Sequence, residues 1–158
     1  MAAADIAGVS SLGITFGYAV ETTVGEKPSA FTKLTRINSI GEISLSPETI
    51  DASALEDLVE RSVAGRTSTG GTFDVVVNIT DTTKAEWETL INAYKGLEGG
   101  KQIWFETCSP YLADGFYVVG QPPLQIPQPS IDQNGLLTVT FPITIADYKG
   151  MLTKVVPE

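Results

Sequence analysis

Apolar residues recur at every second position in several stretches of this chain, and at helical spacing in one. Residues 14–20, ITFGYAV, place Ile14, Phe16 and Tyr18 on one face of a short strand, because successive strand side chains point to opposite sides. The following ETTVGEKPSA is polar and holds Gly25 and Pro28, which predicts a loop. A second β region covers residues 33–46. Strict alternation fails there at Leu34, Ile37 and Ile40, holds at Ile43 and Leu45, and Gly41 marks a bulge or bend. Residues 72–80, TFDVVVNIT, give the cleanest strand, with Phe73, Val75, Val77 and Ile79 on one face.

The period then changes. Trp87, Leu90, Ile91 and Tyr94 follow the i, i+3, i+4, i+7 spacing of one helical stripe. Thr83 and Glu86 ahead of it form a capping-box signature, and Gly96 or Gly99–Gly100 stops the helix. Residues 101–108 read as a strand, with 116–120, FYVVG, as its hairpin partner. Residues 121–129 contain Pro122, Pro123, Pro127 and Pro129, each removing a ladder donor, so they read as extended linker or sheet edge. In residues 136–147, Leu137, Val139, Phe141, Ile143 and Ile145 face inward, and Pro142 points to an edge or bulge. The pattern predicts a mainly β single domain over residues 1–158: a sandwich or barrel of six or seven strands with one flanking α-helix.

Residues 47–71 break the pattern. They carry Glu48, Asp51, Glu56, Asp57 and Glu60 against Arg61 and Arg66, and end in a Gly/Ser/Thr run that packs no core. A loop beyond about 12–15 residues in a compact domain is usually functional. The segment therefore reads as an interaction arm, with a short surface helix over residues 54–60 as the plainer alternative. The terminal stretches, residues 1–12 and 148–158, have modest apolar content and read as arms that dock on a neighbour.

Composition then narrows the chemistry. The chain has 158 residues, 42% hydrophobic and 18% charged, enough apolar material for a core without metals or disulfides. It contains no histidine, which excludes imidazole general acid/base catalysis, Ser-His-Asp triads and histidine metal sites. A lone cysteine, Cys108, excludes an intrachain disulfide and a thiolate zinc site. No basic residue adjoins it to activate the thiol. The residues 65–71, GRTSTGG, lack the lysine and strand–loop–helix setting of a phosphate loop. Trp87 and Trp104 read as packing residues, and Asp81, Glu86 and Glu88 as carboxylates favoured at a helix start. No catalytic residue, metal site or cofactor emerges. Ten basic against nineteen acidic residues, −9 overall, argues against a protein that grips DNA or an anionic membrane. The start of the chain lacks a basic n-region and long apolar core, so a cytoplasmic origin is expected.

Taken together, the motifs resemble the major tail tube proteins of long-tailed bacteriophages. The likeness lies in Y-A-x-E-T at residues 18–22, the threonine- and acid-rich segment ending in Gly70–Gly71, and W-x-x-L-x-x-A-Y at 87–94. It continues through G-K-x-x-W-F-E at 100–106, FYVVG at 116–120, the proline-bearing connector, Asn134–Gly135 and PIT at 142–144. Order and spacing carry the resemblance over about residues 12–147, rather than any single motif. Gene transfer agent tail tubes, and more distantly the tubes of contractile injection machines, belong to the same group.

The resemblance implies a non-catalytic structural virion protein. Six copies would form a ring, and rings would stack into the hollow tail tube that delivers DNA to the host cell. It implies a virion tail location after assembly in the host bacterial cytoplasm, with tape-measure, baseplate or distal tail, and tail terminator proteins as partners. It assigns residues 47–71 to ring stacking, with Ile50, Leu55, Asp57, Leu58, Glu60, Arg61 and Val63 as contacts. Strand alternation makes Glu42, Asp74, Asn78 and Glu106 the candidates for the lumen, with an outer solvated face as the alternative. Six copies at −9 each give −54, and an acidic wall lets DNA slide without specific binding. Two alternatives stand beside this reading. One is a tail terminator or connector of related fold; the other is a ligand-binding sandwich using Trp104, Tyr111 and Tyr117 as a platform.

Overall fold

A long C-terminal strand organises the molecule. A computed structural model describes residues 12–44, 46–68 and 71–158. The described strands are β1 (Thr15–Val20), β2 (Thr32–Leu34), β3 (Ile37–Ile40), β4 (Ser46–Asp51), β5 (Ser62–Ser68), β6 (Thr72–Asn78), β7 (Ile103–Cys108), β8 (Asp114–Gln121) and β9 (Thr138–Thr153). One helix, α1 (Asp81–Lys95), follows β6. Seven strands form an antiparallel sheet in the order β2-β1-β7-β8-β9-β6-β3, and β4 pairs with β5 in a separate hairpin.

β9 is shared between two half-sheets. Thr138–Thr144 pair with β6, while Thr144–Thr153 pair with β8. Pro142 lies beyond the β8 ladder, where β9 has β6 as its only neighbour, as its missing N–H requires. Register shifts bend the β8–β9 pair, one beside Gly150, whose φ of 73° suits a residue without a Cβ. The halves face each other across one core. Phe16, Tyr18, Ile103, Phe105 and Val118 come from one side, and Phe73, Val75, Val77, Val139, Phe141 and Ile143 from the other. Among the described residues the fold is a mainly β sandwich with one flanking helix.

The helix closes the core from one flank. Trp87 stacks on Phe141 with ring centroids 3.9 Å apart, and Leu90 and Ile91 are buried beside it. Its start differs from the expected one. Thr80 is the N-cap, and its reciprocal partner is Thr83, not Glu86. Glu86 instead accepts from the N–H (3.0 Å) and hydroxyl of Thr35, tying the helix to the β2–β3 corner.

Three other expectations are corrected. Residues 47–71 are not an irregular loop: β4 and β5 make a hairpin whose connection is residues 52–61. Leu137 is exposed and precedes β9. Residues 148–158 are not a free arm either. Those up to Thr153 continue β9, and the rest fold back on the same chain, where the Glu158 backbone pairs with Phe31 and Lys33. The arm expected over residues 1–12 lies, apart from Leu12, outside the described residues, as do Leu45 and Gly70.

This fold-back creates a second core. Ala19, Phe31, Trp104, Tyr117 and Val119 on the outer face of β1-β7-β8 pack with Leu152 and Val155. Burial on both faces explains why β7 and β8 read as near-continuous apolar runs.

Candidate assembly surface

The β4–β5 hairpin is built from local polar contacts. Asp51 accepts from the Ser53 N–H (2.9 Å), and that bond holds its carboxyl below the usual range. Asp57 accepts from the Ala54 N–H (2.8 Å) and pairs with Arg61 at 3.5 Å. The Arg61 N–H donates to the Ser53 hydroxyl (2.7 Å), closing the turn. Asp57 and Arg61 thus serve the hairpin's own framework. The apolar members of the expected contact set point into solvent: Leu55 and Leu58 are fully exposed, Val59 is 71% exposed, and Ile50 and Val63 sit directly opposite each other and more than half exposed. Glu60 is also exposed. A two-stranded hairpin is marginal by itself in water, and burying each such aliphatic side chain would contribute roughly 1.5–3 kcal/mol.

The lumen candidates divide. Asp74 and Asn78 lie on the outer face of β6, Asn78 accepts from the Asn38 amide (3.1 Å), and Glu42 follows Gly41, whose N–H donates to the Asp74 carbonyl. Thr138, Thr140 and Thr144 of β9 lie beside Asp74 and Asn78, with Val76 and Pro142 between them, whereas Glu42 is exposed just past the end of β3 and the strand pairing does not put it on that face. Glu106 does not belong to it. Alternation does place Glu106 opposite the inner core, but the C-terminal segment covers that side and the residue is fully buried.

Glu106 instead helps to hold that segment. Its Oε1 accepts from the Val155 N–H (3.2 Å) and the Cys108 thiol, and the Tyr117 hydroxyl donates to the Thr153 carbonyl (2.8 Å). Burial, with Glu106 second, pushes the Cys108 thiol up to about 12, so it is protonated and shielded at neutral pH. Burial raises the Tyr117 phenol in the same direction. Glu21, in the Y-A-x-E-T stretch, is a second buried carboxylate. It accepts from the Gly25 N–H (2.9 Å), the Gln102 N–H (2.7 Å) and the Trp104 indole (3.0 Å). Sequence reading does not reveal this role, although Glu21 and Trp104 both stand in the motifs that carry the resemblance.

Trp104 and Tyr117 are buried, which leaves Tyr111 exposed without the aromatic partners that a sugar platform needs. Among the described residues no group of three or more His, Cys, Asp or Glu side chains is placed to hold a metal ion. No described helix is long and apolar enough to cross a membrane.

No protein-family model matches the chain, and no curated protein matches it. Among solved structures, a chain of the cryo-EM structure of the anti-feeding prophage (AFP) baseplate, 6-fold symmetrised, aligns over 89% of this chain and 91% of its own length. The TM-score is 0.47 and the sequence identity 7%.

Proposed function

We propose that this chain is a self-assembling structural subunit whose rings, six copies each, stack into a hollow tail tube for DNA delivery. The carrying observation is the β4–β5 hairpin, which pairs with no other described strand and holds Leu55, Leu58 and Val59 in water. Apolar side chains held together in water on an ordered element mark a surface for a partner. The resemblance in sequence points to a second copy as that partner. The polar face carrying Asp74 and Asn78, with exposed Glu42 beyond the end of β3, is the surface assigned to the lumen, where hydroxyls, amides and carboxylates give DNA little to grip. Tape-measure, distal tail and terminator proteins are the partners expected at the ends of such a tube.

The test is a comparison of the wild type with the double variant Leu55→Asp/Leu58→Asp. Both sites are fully exposed, so the variant should keep its urea midpoint, with stability within about 0.5 kcal/mol. Sedimentation velocity should show concentration-dependent large species for the wild type and monomer for the variant. A variant that assembles as the wild type does would remove the hairpin from the interface.

A further inference from the structure

Between α1 and the proline-rich connector runs an open groove of about 520 Å³, within the size range of binding clefts. Its floor is apolar, from Ile79, Ile91, Leu124 and Ile126, and Leu124 is 61% exposed. Lys84 and Lys95 line it about three helical turns apart on one stripe, with the Glu88 carboxylate between them. Lys84 makes a loose, exposed pair with Glu88 at 3.8 Å, whereas Lys95 has no ion-pair partner among the described residues. We infer that this groove receives the β4–β5 hairpin tip of a second copy, an inference that rests on the self-assembly reading above.

Complementarity selects the occupant. The tip offers Leu55, Leu58 and Val59 together with Glu56 and Glu60, while its third acid, Asp57, is taken by Arg61. Aliphatic side chains flanked by free carboxylates match an apolar floor that ends at Lys95, the groove lysine without an ion-pair partner among the described residues. A smaller groove of about 220 Å³, lined by Tyr94, Leu97 and Lys101, offers less than half that space for an aliphatic tip and a single ammonium. Three further lysines are committed to the chain's own C-terminal face: Lys27 donates to the Thr153 carbonyl, Lys149 pairs with Asp147, and Lys154 donates to the Ser109 carbonyl. A second groove, beneath Leu12, Phe16 and Ile40, has no charged residue in its lining and offers the carboxylates nothing.

Cysteine exchange between copies tests the inference. Val59→Cys and Asn92→Cys are both exposed substitutions that leave the cores untouched, and buried Cys108 stays silent. The two variants, mixed and oxidised under assembly conditions, should give a covalent dimer linked between positions 59 and 92. Mixing Val59→Cys with Asp74→Cys, on the polar face, should give none. In a second arm, Lys95→Glu should raise the concentration needed for assembly roughly fivefold, with Glu60→Lys restoring it in the same chain. Assembly that proceeds without the 59–92 link, and with Lys95→Glu at wild-type concentration, would overturn the groove while leaving self-association standing. A wild type that stays monomeric at every concentration would remove self-association and the groove with it.

Discussion

Glu21 and Glu106 are both buried carboxylates with different work. Glu21 satisfies three N–H donors and joins the β1 loop to the start of β7. Glu21→Ala would leave two backbone N–H groups and an indole without their acceptor, and should cost about 3 kcal/mol in urea unfolding. Glu106 lies under the C-terminal segment, with Cys108 and Tyr117 beside it. The thiol's folded value of about 12 stands above its ordinary 9.0, so folding favours the protonated form. That stabilisation is complete below about pH 9 and is lost as pH rises towards 12, and Tyr117 adds a loss in the same direction. Urea titrations should therefore show stability falling above pH 9, by at most about 1.4 kcal/mol per pH unit from the thiol. Cys108→Ala should flatten that slope. The residue types are legible in the sequence and the roles are not, because alternation tells which face a side chain takes but not what covers that face.

Elements are legible where burial imposes a period. β6 and β9 alternate because one face meets the core and the other meets water, and α1 shows its stripe for the same reason. The hairpin reads as a loop because residues 49–63, apart from half-buried Asp57, face solvent and no burial imposes a period on them. SPETID and SVAGRTS therefore carry no period-two signal, and only cross-strand hydrogen bonding defines them. The helix starts one turn before its sequence signature for a chemical reason. Thr83 fills the N3 position of the capping box, where Glu or Gln is usual, and Glu86 is drawn away to Thr35. Thr83 is fully buried, accepts from the Thr80 N–H at 2.7 Å, and lies within bonding distance of the Asn78 carbonyl. Thr83→Ala should cost about 1–2 kcal/mol in thermal or urea unfolding. The neighbouring Thr82 is exposed, so Thr82→Ala should leave stability within about 0.5 kcal/mol in the same assay.

At the scale of the whole molecule, two cores share the β1-β7-β8 sheet. The inner one follows from alternation. The outer one does not, since its cover is a C-terminal segment whose backbone pairing with Phe31 and Lys33 leaves no pattern in the sequence. With that segment folded down, the β4–β5 hairpin is the described element that pairs with nothing in its own chain's main sheet, and the polar β3-β6-β9 face lies on the other side of the core from the buried aromatic residues. We propose that such a subunit completes itself by stacking, and cryo-electron microscopy of the concentrated protein is the decisive experiment. The expected image is a hollow tube of stacked six-fold rings, with residues 50–63 at every ring-to-ring contact and Glu42, Asp74 and Asn78 on the inner wall. Tubes with the hairpin left in solvent, or a monomer at every concentration, would contradict it.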